Sequence, residues 1–138
     1  MRRYTTTEFV REVDAAVRER GWAGGGTPAG MVRAWEALVE QLEEGYDDYI
    51  DEYWNDLSIR DAIEAVLSDP RLARYPQLGE FRRNIERLDE RFRPLLKEEP
   101  QIGEPGDPWW RRHVLAEAGA DFARDVWELY EIEIRVRK

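Results

Sequence analysis

The sequence predicts an all-α protein: a single-domain bundle of about five helices spanning residues 1–138, with one long acidic amphipathic helix. Three observations carry this expectation. Apolar residues recur at i, i+3, i+4 and i+7 over long stretches, the period of a helix with one buried face. Gly and Pro gather at a few places and divide the chain into a small number of long segments. The charge is concentrated: the formal net charge is −9, and the 26 residues from Ala34 to Ile59 hold nine acids and no Lys or Arg, which leaves the other 112 residues neutral.

The elements follow in order. Thr5 with Glu8 three residues later has the capping-box spacing. A helix from about Thr6 to Arg20 follows, with Phe9, Val10, Val13, Ala16 and Val17 facing inward, and Gly21 ends it. Residues 21–30 hold five Gly and one Pro and read as a loop. Gly24-Gly25-Gly26 invites comparison with a phosphate cradle, but no strand precedes it and no Lys follows, so the P-loop pattern fails.

Thr27 and Pro28 form a favoured N-cap and N1 pair for the second helix. Its apolar residues Met31, Val32, Trp35, Leu38, Val39, Leu42, Tyr46, Tyr49, Ile50, Tyr53 and Leu57 share one arc when wound at helical pitch. Glu36, Glu40, Glu43, Glu44, Asp47, Asp48 and Asp51 fall on the opposite arc. The phase survives Gly45, so the spacing predicts one helix to about Asn55, roughly 40 Å long at about 1.5 Å per residue. Asp56 is out of phase and reads as part of a turn. Ser58 to Leu67 is a short third helix, and Asp69-Pro70 opens at most a turn or two. A fourth helix runs from about Gln77 to Leu96 with a basic outer face, and Lys97 to Gly106 is a loop with two prolines. Asp107-Pro108 starts the last helix, in which Trp110, Val114, Ala118, Phe122, Val126 and Tyr130 keep phase. Beyond Tyr130 the residues alternate in strand period, but a lone strand has no expected partner, so a fraying helical end or an extended tail is expected.

Composition narrows the function. There is no cysteine, which removes disulfides, zinc-thiolate sites and thiol catalysis and fits a reducing cytoplasm. The N-terminus lacks an apolar run after its charges, and no stretch approaches membrane-span length, so neither a signal peptide nor a membrane anchor is expected. A sequence pI near 4.8 argues against nucleic acid and anionic lipid as partners. Nineteen of the 21 basic residues are Arg and Asn occurs twice, a bias of GC-rich coding that points to a bacterial source.

Asp47-Asp48-Tyr49-Ile50-Asp51 resembles the aspartate-rich string with which terpenoid synthases hold magnesium on a diphosphate. On one helix, carboxylates at i, i+1 and i+4 would meet on a common face. The match ends there: in Asn55-Asp56-Leu57-Ser58 the Ser comes one residue early, and the chain is too short to enclose a prenyl pocket. Glu40-Gln41-Leu42-Glu43 and Glu44-Gly45-Tyr46-Asp47 loosely resemble the carboxylate motifs of small helical nucleotide pyrophosphohydrolases. That likeness implies an alternative function, a magnesium- or manganese-dependent hydrolase acting on a nucleotide or diphosphate. Such work needs ligands that converge in a groove, whereas these acids lie opposite the apolar stripe. His113, the only histidine, has Arg and Val as neighbours and reads as structural. Trp109-Trp110-Arg111-Arg112 reads as core anchoring through Trp110.

The expectation that remains is a small acidic cytoplasmic binding protein with no cofactor and no metal site, an inhibitor, immunity-type or adaptor protein. Its partner would be a basic protein or a second copy of itself. The candidate face is Glu40, Glu43, Glu44, Tyr46, Asp47, Asp48 and Asp51. Electrostatic steering with aromatic anchors is the physics of such a surface. The competing reading is that the basic outer faces of the fourth helix and of Arg71–Arg74 neutralise the acids within the chain.

Overall fold

A computed structural model describes residues 4–137. Met1 to Arg3, whose charges entered the N-terminal reading, and Lys138 lie outside the described residues. The protein is all-α in character, and no described helix is long and apolar enough to cross a membrane. Six α-helices occur among the described residues: α1 (Thr6–Glu19), α2 (Pro28–Glu44), α3 (Ile50–Asp56), α4 (Ser58–Leu67), α5 (Pro76–Phe92) and α6 (Ala120–Tyr130). Short 3-10 turns occupy Arg93–Leu95 and Trp109–Arg111. Strands β1 (Glu117–Ala118) and β2 (Arg135–Val136) pair in parallel.

The chain forms two compact units. The first combines residues up to Glu36 with Ile59–Leu88. Here Thr5 caps α1 through a 3.1 Å bond from the Glu8 amide to its hydroxyl, and Phe9, Val13, Ala16 and Val17 are buried. Tyr75 stacks against both Tyr4 and Phe9, at 5.4 and 5.5 Å between ring centroids. The glycine-rich loop is tied back onto α1. Asp14 accepts the Gly26 amide at 3.0 Å and the Arg18 guanidinium at 2.8 Å, and Arg18 also donates to the Ala23 carbonyl. A carboxylate therefore occupies the amide that a phosphate would need, and the segment is a loop, as its sequence suggests. Arg71 forks onto Glu19 at 2.7 and 3.1 Å and onto Asp69 at 3.0 and 3.2 Å.

The second unit combines Ala37–Ser58 with Asp89 onward. Its centre is an aromatic triangle of Tyr46, Tyr53 and Phe122, with edge-to-face centroid separations of 5.3–5.9 Å. Trp110, Val114, Leu115, Ala118 and Val126 are buried in this unit as well. Arg93 lies 3.7 Å over the Trp109 ring, and the His113 Nδ1 donates to the Lys97 carbonyl at 3.0 Å.

Two expectations are corrected. The long acidic helix is not continuous. It stops at Glu44, crosses an irregular link and restarts at Ile50. Gly45 sits at φ +121°, a conformation essentially closed to other residues. A continuous helix would also place Glu43 over Asp47, Glu44 over Asp48 and Asp47 over Asp51, like charges one turn apart that repel. The break removes those contacts. The second correction concerns the C-terminal third. Residues 108–119 form no α-helix, holding a 3-10 turn at Trp109–Arg111 and then β1, and only α6 survives of the expected long last helix. The alternation after Tyr130 is strand-like after all, and β2 finds its partner in β1, inside the segment read as helix.

Candidate functional site

The candidate face lies within the second unit, on the end of α2, the link 45–49 and the start of α3. Three groups from distant parts of the chain hold the link. The Gly119 amide donates to the Tyr46 carbonyl at 2.8 Å. The Asp125 carboxylate of α6 accepts the Ile50 amide at 3.0 Å and so supplies the N-terminal cap of α3. The Arg137 guanidinium donates to the Glu43 carbonyl at 3.0 Å, at the C-terminal end of α2, where the helix has no basic residue of its own. A cation there complements the partial negative charge of the last helical turn. Within the link, the Asp48 carboxylate accepts the Tyr49 amide at 2.7 Å, a local turn contact.

The seven predicted residues separate into three groups. Glu40, Glu44, Asp47, Asp48 and Asp51 are exposed, joined by Glu52 next door. None of these six carries an ion pair among the described residues. Glu43 is different: Arg91 of α5 grips it in a forked contact at 2.6 and 3.3 Å. That hydrogen-bonded contact and the Arg91 charge hold the Glu43 carboxyl below its ordinary value. Of the seven candidate residues, Glu43 alone is neutralised by a cation among the described residues, and Arg71 is engaged with Glu19 and Asp69 instead.

Tyr46 is a correction. It is 1% exposed, so it belongs to the core and not to the face. Its hydroxyl donates to Asp56 at 2.7 Å. Burial first, then that bond, push its phenol well above the ordinary value for tyrosine. Its place on the surface is taken by Tyr49, expected inside and found 50% exposed among Asp47, Asp48 and Asp51 in the chain. The exchange follows from the break at Gly45. Tyr46, Ile50, Tyr53 and Leu57 all stay buried, but the extended link turns Tyr49 outward. Tyr53 is fully buried, its hydroxyl has no hydrogen-bond partner among the described residues, and burial raises its phenol strongly as well.

The aspartate string does not lie along one helical turn. Asp47 and Asp48 sit in the link and Asp51 in the first turn of α3. Among the described residues, no three carboxylate or imidazole side chains are arranged to hold a metal ion. What the stretch from Glu40 to Glu52 presents is six exposed acids, with the exposed Tyr49 ring between Asp48 and Asp51 in the chain.

The chain matches no family model, no curated protein and no solved structure. The functional reading therefore rests on the geometry of this face alone.

Proposed function

We propose that this chain is a small acidic binding protein, of the inhibitor, immunity or adaptor type, that acts in the cytoplasm and engages a basic protein through Glu40, Glu44, Asp47, Asp48, Asp51 and Glu52 around Tyr49. One observation carries the reading. Several acids elsewhere in the chain are matched with cations, among them Asp14 with Arg18, Glu19 and Asp69 with Arg71, Glu43 with Arg91 and Asp121 with Arg124, and no other stretch gathers so many acids without a Lys or Arg between them. These six, within thirteen residues, are not matched among the described residues. Leaving six like charges unmatched raises the self-repulsion of the fold and strengthens the local field, which accelerates encounter with a basic surface. Tyr49 adds an aromatic ring with a polar tip, a side chain enriched among interface hot spots. The caps from Asp125 and Arg137 fix the link before any partner arrives, which lowers the ordering cost of binding.

The test is co-purification of the tagged protein from its own host beside an Asp47→Lys, Asp48→Lys, Asp51→Lys variant. The expected result is a basic protein retained by the natural sequence, lost by the variant, and released as salt rises from about 0.01 M to about 0.15 M, over which the Debye length falls from about 30 Å to about 8 Å. Equal retention by both proteins moves the binding face elsewhere. Recovery of the chain alone, as an oligomer dispersed by the same reversals, makes the partner a second copy.

A further inference from the structure

The link that carries Asp47, Asp48 and Tyr49 is bounded by a segment that follows α6 by only a few residues. After Glu131, in left-handed conformation at φ 55°, the chain buries Ile132 and Ile134 and then pairs with β1. The Arg135 amide donates to the Ala116 carbonyl at 3.0 Å and the Arg137 amide to the Ala118 carbonyl at 2.8 Å. The next amide along β1, that of Gly119, donates to the Tyr46 carbonyl. One short stretch of backbone, Ala118-Gly119, therefore joins the C-terminal arm to the acidic link. The Arg137 side chain closes the loop by reaching the Glu43 carbonyl, its stem lying over Gly45: a Cβ on Gly45 would come 2.6 Å from the Arg137 Cδ. The recess so formed, about 260 Å³, is lined by Glu44, Gly45, Tyr46, Asp47, Gly119 and Arg137.

We infer that the arm 131–137 is a clasp that sets the conformation of the acidic link, and that Arg137 is the positioning residue through which it does so. The inference takes its functional meaning from the proposed binding face but its physical content stands apart. With Arg137 in place, α2 ends at Gly45 in a single geometry and the link presents Asp47, Asp48 and Tyr49 outward. With it gone, the Glu43 carbonyl loses its donor, Gly45 loses the side chain lying over it, and the link samples other conformations.

Amide hydrogen exchange on the full chain reads this without any partner. Arg137→Ala should accelerate exchange at Gly45 and Gly119 about tenfold, the loss expected for one hydrogen bond plus one favourable charge at a helix end. Arg137→Lys keeps a cationic donor and should stay within about threefold of the natural protein. The amides of Val13 and Val17 in α1 should not change in either variant. The inference is overturned if Arg137→Ala leaves Gly45 and Gly119 unchanged, if Arg137→Lys exchanges as fast as Arg137→Ala, or if α1 accelerates equally, which would mean a global loss of stability. The same variants, used in the co-purification, separate the two claims. A link loosened by Arg137→Ala beside a partner lost only by the Asp47→Lys, Asp48→Lys, Asp51→Lys variant keeps both claims, and a partner retained by that charge-reversed variant removes the binding face while leaving the clasp standing. A rigid link with binding lost keeps the face and removes the clasp.

Discussion

Replacing Gly45 with Ala distinguishes the observed break from a continuous helix by the sign of the effect. In a helix interior, Gly→Ala stabilises by about 0.5–1 kcal/mol, because alanine has less backbone freedom to lose. In the structure, Gly45 sits at φ +121°, and holding an L-residue in such a region costs about 1–3 kcal/mol. The new methyl would also lie 2.6 Å from the Arg137 Cδ. Arg137 is exposed and can swing away, but doing so forfeits its bond to the Glu43 carbonyl, about 0.5–1.5 kcal/mol. The sum is a destabilisation of about 2–4 kcal/mol, a fall in Tm of roughly 5–12 °C for a chain of this size. Urea unfolding followed by tryptophan fluorescence gives the number directly. The double variant Gly45→Ala, Arg137→Ala should be no less stable than Gly45→Ala alone, since the same bond cannot be lost twice. An unchanged or raised urea midpoint for Gly45→Ala refutes the break and restores the continuous helix.

Three further outcomes follow from the same geometry. Tyr46→Phe should destabilise by about 1–3 kcal/mol because it strands the Asp56 carboxylate, whereas Tyr53→Phe, which removes a buried hydroxyl without a partner, should be neutral or stabilise by up to about 1 kcal/mol; equal losses in urea midpoint would show that the Tyr53 hydroxyl is bonded. Both phenols are raised in the folded state, so their contribution is complete below the unfolded value near pH 10 and is lost as pH climbs above it, because only the unfolded chain releases those protons; stability should fall by up to about 2.7 kcal/mol per pH unit there, and ultraviolet titration should find two phenols that ionise only on unfolding. Asp47→Lys with Asp51→Lys should leave Tm within about 3 °C, since exposed charges contribute little to folding, and a collapse of the fold in circular dichroism would make these acids structural.

Much of the fold was legible because burial follows periodicity. The caps at Thr5 and Thr27, the helices α1, α4 and α5, and the buried residues Trp35, Leu38, Leu42, Tyr53 and Leu57 all answer to spacing alone. The break at Gly45 was hidden because Tyr46, Ile50, Tyr53 and Leu57 keep helical spacing across a segment that is not helical. The available signal was the run of like charges at i, i+4 on both sides of a glycine, which a helix tolerates poorly. The false last helix rested on Trp110, Val114, Ala118, Phe122, Val126 and Tyr130, spaced by four throughout. At about 100° per residue that spacing drifts by about 40° per step, so it does not describe one straight stripe, and Gly119 divides it. The pairing of β1 with β2 and the grip of Arg137 on α2 depend on contacts between residues far apart in sequence, which no local pattern encodes. On the face itself, Glu40, Glu44, Asp47, Asp48 and Asp51 were named from charge alone, whereas Glu52 was left out and Glu43, which Arg91 holds, was included. The exchange of Tyr46 for Tyr49 was not, because it depends on the conformation of the link.

The central claim is that this acidic surface recognises a basic protein, and the association rate of the co-purified partner tests it most directly. Measured by stopped-flow at about 0.01 M and about 0.15 M salt, the rate constant should drop steeply for the natural protein while dissociation changes much less. For the Asp47→Lys, Asp48→Lys, Asp51→Lys variant, association should be slow at both salts. An association rate indifferent to salt and to these reversals would contradict the account.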